Sequence, residues 1–448
     1  MALPNIEDTI AAIATPPGTG AIGVVRLSGP ESYVIADKIF QPQKKSLPSL
    51  ETPNTVLLGT VYKHEEMIDQ ALLLTFRSPH SYTGQDVIEL QTHGGPAVLK
   101  GVLGACIEQG ARLAGPGEFT LRAYLSGQID LIQAESVLSL INAQTDQARR
   151  QAMRGLAKEL SKRIDKIQTN LMSVYAAIQA TLDYPEEGVP EAEKQIPLEH
   201  AERNLEELLA TAQAGDITQR GARLAIIGKP NAGKSSLLNS LLGYKRSIVS
   251  PHSGTTRDYL EVPLEFNGLQ ITAIDTAGIR TTSDPVEKAG VESALDIAET
   301  ADLTLLILDR SERFLESDAE FYSNLIQPSV ITVATKADLP PAWTSLPWIE
   351  RPLKVSSQTG KGLESLRQAI SETLLAGSQT TELWITLDRH KALLEDALKL
   401  VYRAKEAPED LAALDLEVAL TKLGQITGRS EVSEETIAYI FAQFCVGK

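Results

Sequence analysis

Residues 228–235 read Gly-Lys-Pro-Asn-Ala-Gly-Lys-Ser, a complete GxxxxGK[ST] pattern. An apolar run at 224–227 precedes it, and Ser236-Leu237-Leu238-Asn239-Ser240-Leu241-Leu242 follows. Strand, glycine-rich loop and helix in that order form the context the pattern needs. Glycines let backbone N–H groups curl around a polyphosphate, a lysine reaches its β- and γ-phosphates, and the next hydroxyl faces Mg²⁺. Asn231, Ala232, Gly233, Lys234, Ser235 and Ser236 are therefore expected to hold a nucleoside triphosphate, with Ser235 on Mg²⁺. Residues 219–376 alternate strand and helix patterns around the loop, as a doubly wound α/β domain requires.

The flanking sequence has other periods. Residues 1–125 read as mixed α/β, with strand-length runs at 22–27, 55–58, 71–76 and 87–90 separated by Pro/Gly turns. Residues 41–54, rich in Pro, Lys and Ser, read as a surface loop. From about residue 126 the apolar positions step by three, four or seven from Val137 to Ile178, a sustained amphipathic helix stripe. Arg149, Arg150, Arg154, Lys158, Lys162, Arg163 and Lys166 decorate it, as a solvated face or as a stripe facing RNA or a partner. Residues 184–197, with three prolines, are expected to end that helix, and a shorter helix is expected at 198–214. After 377 the pattern is helical again, over 383–405 and 411–425. Two helical blocks around one α/β block predict a nucleotide domain inserted into a helical domain. The expected parts are 1–125, 126–218, 219–376 and 377–448.

A length of 448 residues accommodates roughly three domains. No apolar run reaches the roughly 18 residues that span a bilayer, so no membrane association is expected. Residues 1–9 carry acids without a basic cluster, which predicts neither a secretory signal nor a transit peptide. Cys106 and Cys445 are the two cysteines; a disulfide framework is not expected, and a cytoplasmic location fits. The net charge of −16 argues against coating nucleic acid through the overall field, though a local basic patch is compatible with it.

Three further motifs follow the phosphate loop in order. Ser253-Gly254-Thr255-Thr256-Arg257-Asp258 is a switch segment, with Thr256 the candidate to close on Mg²⁺. A strand at 271–274 ends in Asp275-Thr276-Ala277-Gly278, where Asp275 can hold a Mg²⁺-bound water and the Gly278 amide can sense the γ-phosphate. Residues 330–334 lead into Thr335-Lys336-Ala337-Asp338, similar to the guanine-recognition motif but with threonine in place of its first asparagine. The Asp338 carboxylate can accept two bonds from the guanine N–H edge, and a mismatched base would leave it unpaired, worth roughly 10⁴-fold discrimination. Ser356, Ser357 and Gln358 fit a last guanine loop read by backbone N–H. Together these motifs predict a GTPase.

Ile279 stands where Ras-type enzymes carry a water-orienting glutamine. Glu287 is then the nearest candidate to position water, with Glu292 second; Glu287 also reads as a helix N-terminal acid. No arginine finger is evident. Asn231 together with the Gly-Thr-Thr-Arg-Asp switch resembles the potassium-dependent GTPases. That resemblance implies K⁺ near Asn231, Ser250, His252 and Thr255, stabilising charge on the transferring phosphoryl. The plainer reading of Asn231 is a turn residue.

Ala14-Thr15-Pro16-Pro17-Gly18, residues 86–96, Pro116-Gly117-Glu118-Phe119, the GTPase motifs and Phe444-Cys445-Val446-Gly447-Lys448 together resemble the tRNA modification GTPase family MnmE (TrmE) over essentially the whole chain. The resemblance implies an N-terminal tetrahydrofolate-binding and dimerisation domain, a discontinuous helical domain and an inserted Ras-like G domain. It implies a homodimer that works with an FAD-dependent partner, MnmG (GidA), in a heterotetramer. It also implies tRNA modification at C5 of the wobble uridine, with a 5-formyl- or methylene-tetrahydrofolate one-carbon unit. The family's folate positions fall on Arg26, Glu89, Gln128 and Lys448. Gln128 departs from a usually basic residue, for which Arg122 is the nearby substitute. Arg26 also reads as a surface ion pair and Lys448 as a disordered end. Cys445 reads either as a small buried anchor of the tail or as a reactive thiol. Two other functions fit parts of the chain: a ribosome-assembly GTPase on rRNA, whose usual basic appendage is missing here, and a GTP-switched dimeric scaffold.

Overall fold

The computed structural model describes residues 6–44, 46–184, 191–243, 260–275, 297–314, 329–344, 346, 349, 351–375 and 383–448. They belong to two compact units, Met1–Ile141 with Gly155–Gln168 and Glu417–Lys448, and Asn142–Arg154 with Thr169–Leu416. Among the described residues the helices are α1 (Ser32–Ile39), α2 (Pro96–Glu108), α3 (Glu118–Leu125), α4 (Leu131–Asn142), α5 (Asp146–Leu156), α6 (Glu159–Asp183), α7 (Glu191–Ala210), α8 (Ala212–Arg220), α9 (Lys234–Leu242), α10 (Leu363–Leu374), α11 (Asp388–Glu406), α12 (Glu409–Thr427) and α13 (Glu434–Ala442).

The first unit is built on a seven-stranded sheet of β1 (Ile10–Ile13), β2 (Ile22–Ser28), β3 (Phe40–Pro42), β4 (Val56–Lys63), β5 (Glu66–Phe76), β6 (Val87–His93) and β7 (Arg112–Leu113), in the order β3-β4-β5-β6-β2-β1-β7. Only the β1–β7 pair is parallel. Side chains alternate faces along a strand. Val25, Leu27, Leu73, Ile88 and Leu90 accordingly enter one core with Tyr33 and Ile35 of α1 and Leu99 and Val102 of α2. Each such burial is worth about 1.5–3 kcal/mol. The alternate positions, Arg26 and Glu89 among them, take the opposite face. There Val56, Leu58 and Leu72 remain 56%, 48% and 39% exposed. Ile437, Ile440, Phe441 and Phe444 pack on Leu121, Leu131 and Ala134, which fastens α13 to α3 and α4.

The second unit holds a six-stranded sheet: β8 (Ala222–Gly228), β9 (Leu260–Phe266), β10 (Leu269–Asp275), β11 (Leu303–Asp309), β12 (Val330–Thr335) and β13 (Leu353–Lys354), ordered β13-β12-β11-β8-β10-β9. All neighbours are parallel except the β9–β10 hairpin. The central strands β8 and β11 read as nearly continuous apolar runs because both their faces are covered, whereas the edge strand β9 alternates buried Leu264 and Phe266 with exposed Glu261, Pro263 and Glu265. Leu224 and Ile226 enter a core with α9 and α10, whereas Ala225 and Ile227 enter another on the far side. Ala214 and Ile217 of α8 and Trp384 join the first of these cores. The segments leading into and out of the inserted domain are thus packed against it.

Some expected boundaries shift. The stripe over 137–178 is three helices: α4 stops at Asn142, and Lys158, with a left-handed φ of 61°, separates α5 from α6. Pro197 lies inside α7, in its second turn, where its missing N–H removes one helical bond without ending the helix. The helix expected at 198–214 is α7 followed by α8, with Thr211 between them. Residues 41–54 include the end of β3 and a 3₁₀ turn at Pro48–Leu50. Residues 383–387 are extended, and α11 starts at Asp388. No described helix is long and apolar enough to cross a membrane.

Candidate functional site

β8 is flanked by β10 on one side and β11 on the other, so the chain order reverses there. Ligands of open α/β sheets bind outside the carboxyl ends of strands at such a point. The phosphate loop leaves β8 here. Its turn uses two left-handed residues, Asn231 with φ 62° and Gly233 with φ 94°. Lys234 opens α9 and is 8% exposed; its Nζ donates to the carbonyls of Gly228 at 2.7 Å and Lys229 at 2.9 Å. The ammonium is thereby folded over the loop. Asn231, Ser235 and Ser236 are exposed.

The base motifs come to the same edge. Thr335 ends β12 and is buried, and its hydroxyl lies 2.6 Å from the Ala232 carbonyl and 3.1 Å from that of Leu308. Lys336, with φ 54°, forms an ion pair with Asp309. Burial raises the Asp309 carboxyl, but Lys336 and Ser311 outweigh it and hold the group below its ordinary value. Asp338 Oδ1 accepts from the Ser356 hydroxyl at 2.6 Å. The Ser356 N–H donates to the Lys361 carbonyl at 2.9 Å, which leaves Ser357 and Gln358 as the candidates for backbone reading of a base. Ser240 of α9 donates to the Ser357 carbonyl at 3.2 Å, tying the helix after the phosphate loop to the base loop. Asp275 closes β10 opposite Ile226 of β8, and its backbone therefore lies beside the phosphate loop. Ser250, His252, Thr255, Thr256, Thr276, Ala277, Gly278, Ile279, Glu287 and Glu292 lie outside the described residues.

A second cluster forms on the first unit. Arg26 and Glu89 are paired across β2 and β6, and Arg26 Nε donates to Glu89 Oε1 at 2.8 Å. The Arg26 guanidinium lies 5.9 Å from the Tyr82 ring centre and 5.6 Å from that of Phe119. Tyr82 and Thr120 hydroxyls meet at 3.0 Å, and burial raises the Tyr82 phenol above its ordinary value, so it stays neutral. The chain end docks beside them. Gly117 N–H donates to the Cys445 carbonyl at 3.4 Å, Val446 bridges Pro116, and Phe119 N–H donates to the Lys448 carbonyl at 3.2 Å. Gly447 has φ 99°, and a Cβ there would lie 2.3 Å from the Ile13 carbonyl oxygen, so only glycine fits. Lys448 is thus ordered against Phe119 rather than trailing free. Gln128 Nε2 donates to the Pro79 carbonyl at 3.2 Å, beside the loop that carries Tyr82.

Two expectations change. Arg122 cannot stand in for a basic residue at 128: it is 2% exposed and binds Asp8, Glu118 and the Gln85 side-chain oxygen. Cys445 is exposed, not buried; the tail's apolar anchor is Phe444, and Cys445 contributes its carbonyl. Cys106 is a free, buried thiol that burial pushes up to about 12, which makes it inert. Sequence reasoning missed Tyr82 and Phe119 as members of this cluster. Phe119 stands in a motif already singled out, and an aromatic next to Pro-Gly-Glu was the available signal.

The chain matches two family models: GTP-binding protein TrmE N-terminus over residues 9–128 and MnmE helical domain over residues 131–445. It is similar to curated proteins named tRNA modification GTPase MnmE. One from Thermus thermophilus is 50% identical, over 99% of this chain and 100% of the relative. Those of Chloroflexus aurantiacus and Aquifex aeolicus are 42% and 38% identical, each over 99% of this chain and 100% of the relative.

Proposed function

This chain belongs to the MnmE family of tRNA modification GTPases, and from that membership we propose that it is a K⁺-activated GTPase whose cycle drives C5 modification of a wobble uridine. The proposed assembly is a cytoplasmic homodimer acting with a flavoprotein of the MnmG kind on tRNA. The observation that carries the GTPase reading is the meeting, at one sheet edge, of a lysine-capped phosphate loop and a base loop fastened to it by Thr335.

The phosphate loop fits a polyphosphate. Its left-handed turn and the N-terminus of α9 present backbone N–H groups to phosphate oxygens, and Lys234 adds a fixed charge. Bound Mg²⁺ and K⁺ would offset the charge that spreads over the transferring phosphoryl. Ser235 with Thr256 would hold Mg²⁺; the exposed Asn231 amide with Ser250, His252 and Thr255 would hold K⁺. Asp338 fixes the base, and Glu287 orients water in place of the absent glutamine.

The second cluster fits a flat heterocycle with an acidic tail. Tyr82 and Phe119 supply ring faces, Glu89 accepts from an amide edge, and Arg26 and Lys448 carry charges suited to carboxylates. A bound tetrahydrofolate would supply the one-carbon unit. The apolar strip of Val56, Leu58 and Leu72 on the open sheet face supports dimerisation through the same domain.

The test is GTP turnover by the full chain in equal concentrations of KCl and NaCl. We expect at least a tenfold advantage for K⁺, which corresponds to about 1.4 kcal/mol of transition-state stabilisation. Equal rates would remove the cation from the account.

A further inference from the structure

We infer that Thr335 is a positioning residue that fastens the phosphate loop to the base loop, and that it leaves the N7 edge of guanine unread. This deepens the GTP-binding reading and rests on it. Thr335 is 3% exposed, and its Oγ1 lies 2.6 Å from the Ala232 carbonyl oxygen and 3.1 Å from the Leu308 carbonyl oxygen. A hydroxyl has one proton to donate. Both neighbours are acceptors, so the proton belongs to one of them, and the shorter contact, to Ala232, takes it.

Thr335 then has only lone pairs to offer. Guanine presents O6 and N7 as acceptors along one edge. Two acceptors form no bond, so Thr335 adds nothing to recognition of that edge. An asparagine in its place would have two N–H donors and could hold the loop and the base together. In this chain the two tasks are separate. Asp338, steadied by Ser356, reads the N–H edge of the base, and Thr335 serves the phosphate side.

The anchor falls at a consequential point. Ala232 lies between Asn231 and Gly233, which carry φ values of 62° and 94°. The carbonyl held by Thr335 fixes the peptide plane in the middle of that turn, and so the direction of the adjacent N–H groups. Removing the hydroxyl leaves a buried carbonyl unpaired. The loss should fall on phosphate binding and leave base preference unchanged.

Competition against a fluorescent GDP on the full chain tests both halves, with GDP and 7-deaza-GDP (N7 replaced by C–H) as competitors. The unsubstituted protein should bind the two within about twofold, as expected if no hydrogen bond is lost. A loss of more than about tenfold for 7-deaza-GDP would show a donor on N7 and overturn the inference. Thr335→Val should weaken both competitors about tenfold and by the same ratio, and Thr335→Ser should restore them. Wild-type affinity in the valine variant would overturn the anchoring role; a failure of serine to rescue would do the same. Asp338→Asn is the control for the underlying reading and should weaken GDP at least about tenfold. If it does not, the base lies elsewhere and the GTP reading falls with the inference. With that control in place, failure of the Thr335 arms overturns the inference alone.

Discussion

Asn231 has two physical reasons to be an asparagine. Its φ of 62° lies in a region that asparagine tolerates better than most side chains, and its exposed amide is suited to a cation. Glycine separates the two, because it keeps the turn and removes the amide. In Asn231→Gly we expect the K⁺ advantage in GTP turnover to vanish, with GDP affinity retained within about threefold because the turn is preserved. Turnover measured in both salts checks it. An advantage that survives would assign Asn231 to the turn alone. The phosphate loop was legible in the sequence because it is local: eight consecutive residues specify the turn, the lysine and the helix start. Arg26 and Glu89 were placed by resemblance alone. Their contact arises from β2–β6 pairing between residues 63 apart, which no local pattern announces.

At the scale of elements, α3 is held by charge as well as by its apolar face. Glu118 accepts from Arg112, from Arg122 and from the Gly115 N–H, while Asp8 binds both arginines. Burial raises the Glu118 carboxyl, but the two arginines and the Gly115 amide hold it below its ordinary 4.5; the Arg112 contact holds Asp8 below its ordinary 3.8. Carboxyls depressed in the folded state stabilise it above their unfolded values, and that contribution is lost as pH falls through the folded ones. Glu118→Gln removes one member of a buried network and should cost about 3 kcal/mol at pH 7. The gap should close in acid, below pH 4.5 and through the lowered folded value. Unfolding followed by near-UV circular dichroism from pH 7 to pH 3 measures it; a gap independent of pH would contradict the ionic account. The same network claims Arg122, which looked available in the sequence. Its position in an amphipathic helix gave no sign that Asp8, 114 residues away, would claim it. The helix breaks were hidden similarly: apolar steps of three and four continue across Lys158, and only its positive φ marks the join.

At the scale of the whole molecule, the chain carries two candidate sites, one on each sheet. The seven-stranded sheet keeps an apolar strip on its open face, built from the cross-strand neighbours Leu58 and Leu72. If that strip is the dimer contact, Leu72→Arg should yield monomers, with a sedimentation mass half that of the unsubstituted protein. An unchanged mass would move the contact elsewhere. The two sheets were readable because strand-length apolar runs recur within residues 1–125 and 219–376, with helical periods between and after them. The arrival of the C-terminal residues beside Phe119 was not, because it depends on α13 packing against α3 and α4. In the proposed function, GTP hydrolysis drives the modification. The most direct measurement is formation of C5-modified wobble uridine in tRNA by the chain with its flavoprotein partner and a tetrahydrofolate one-carbon donor in KCl, with GTP or a non-hydrolysable analogue. Modified nucleoside should accumulate with GTP and stay at background with the analogue; equal product from both would contradict the account.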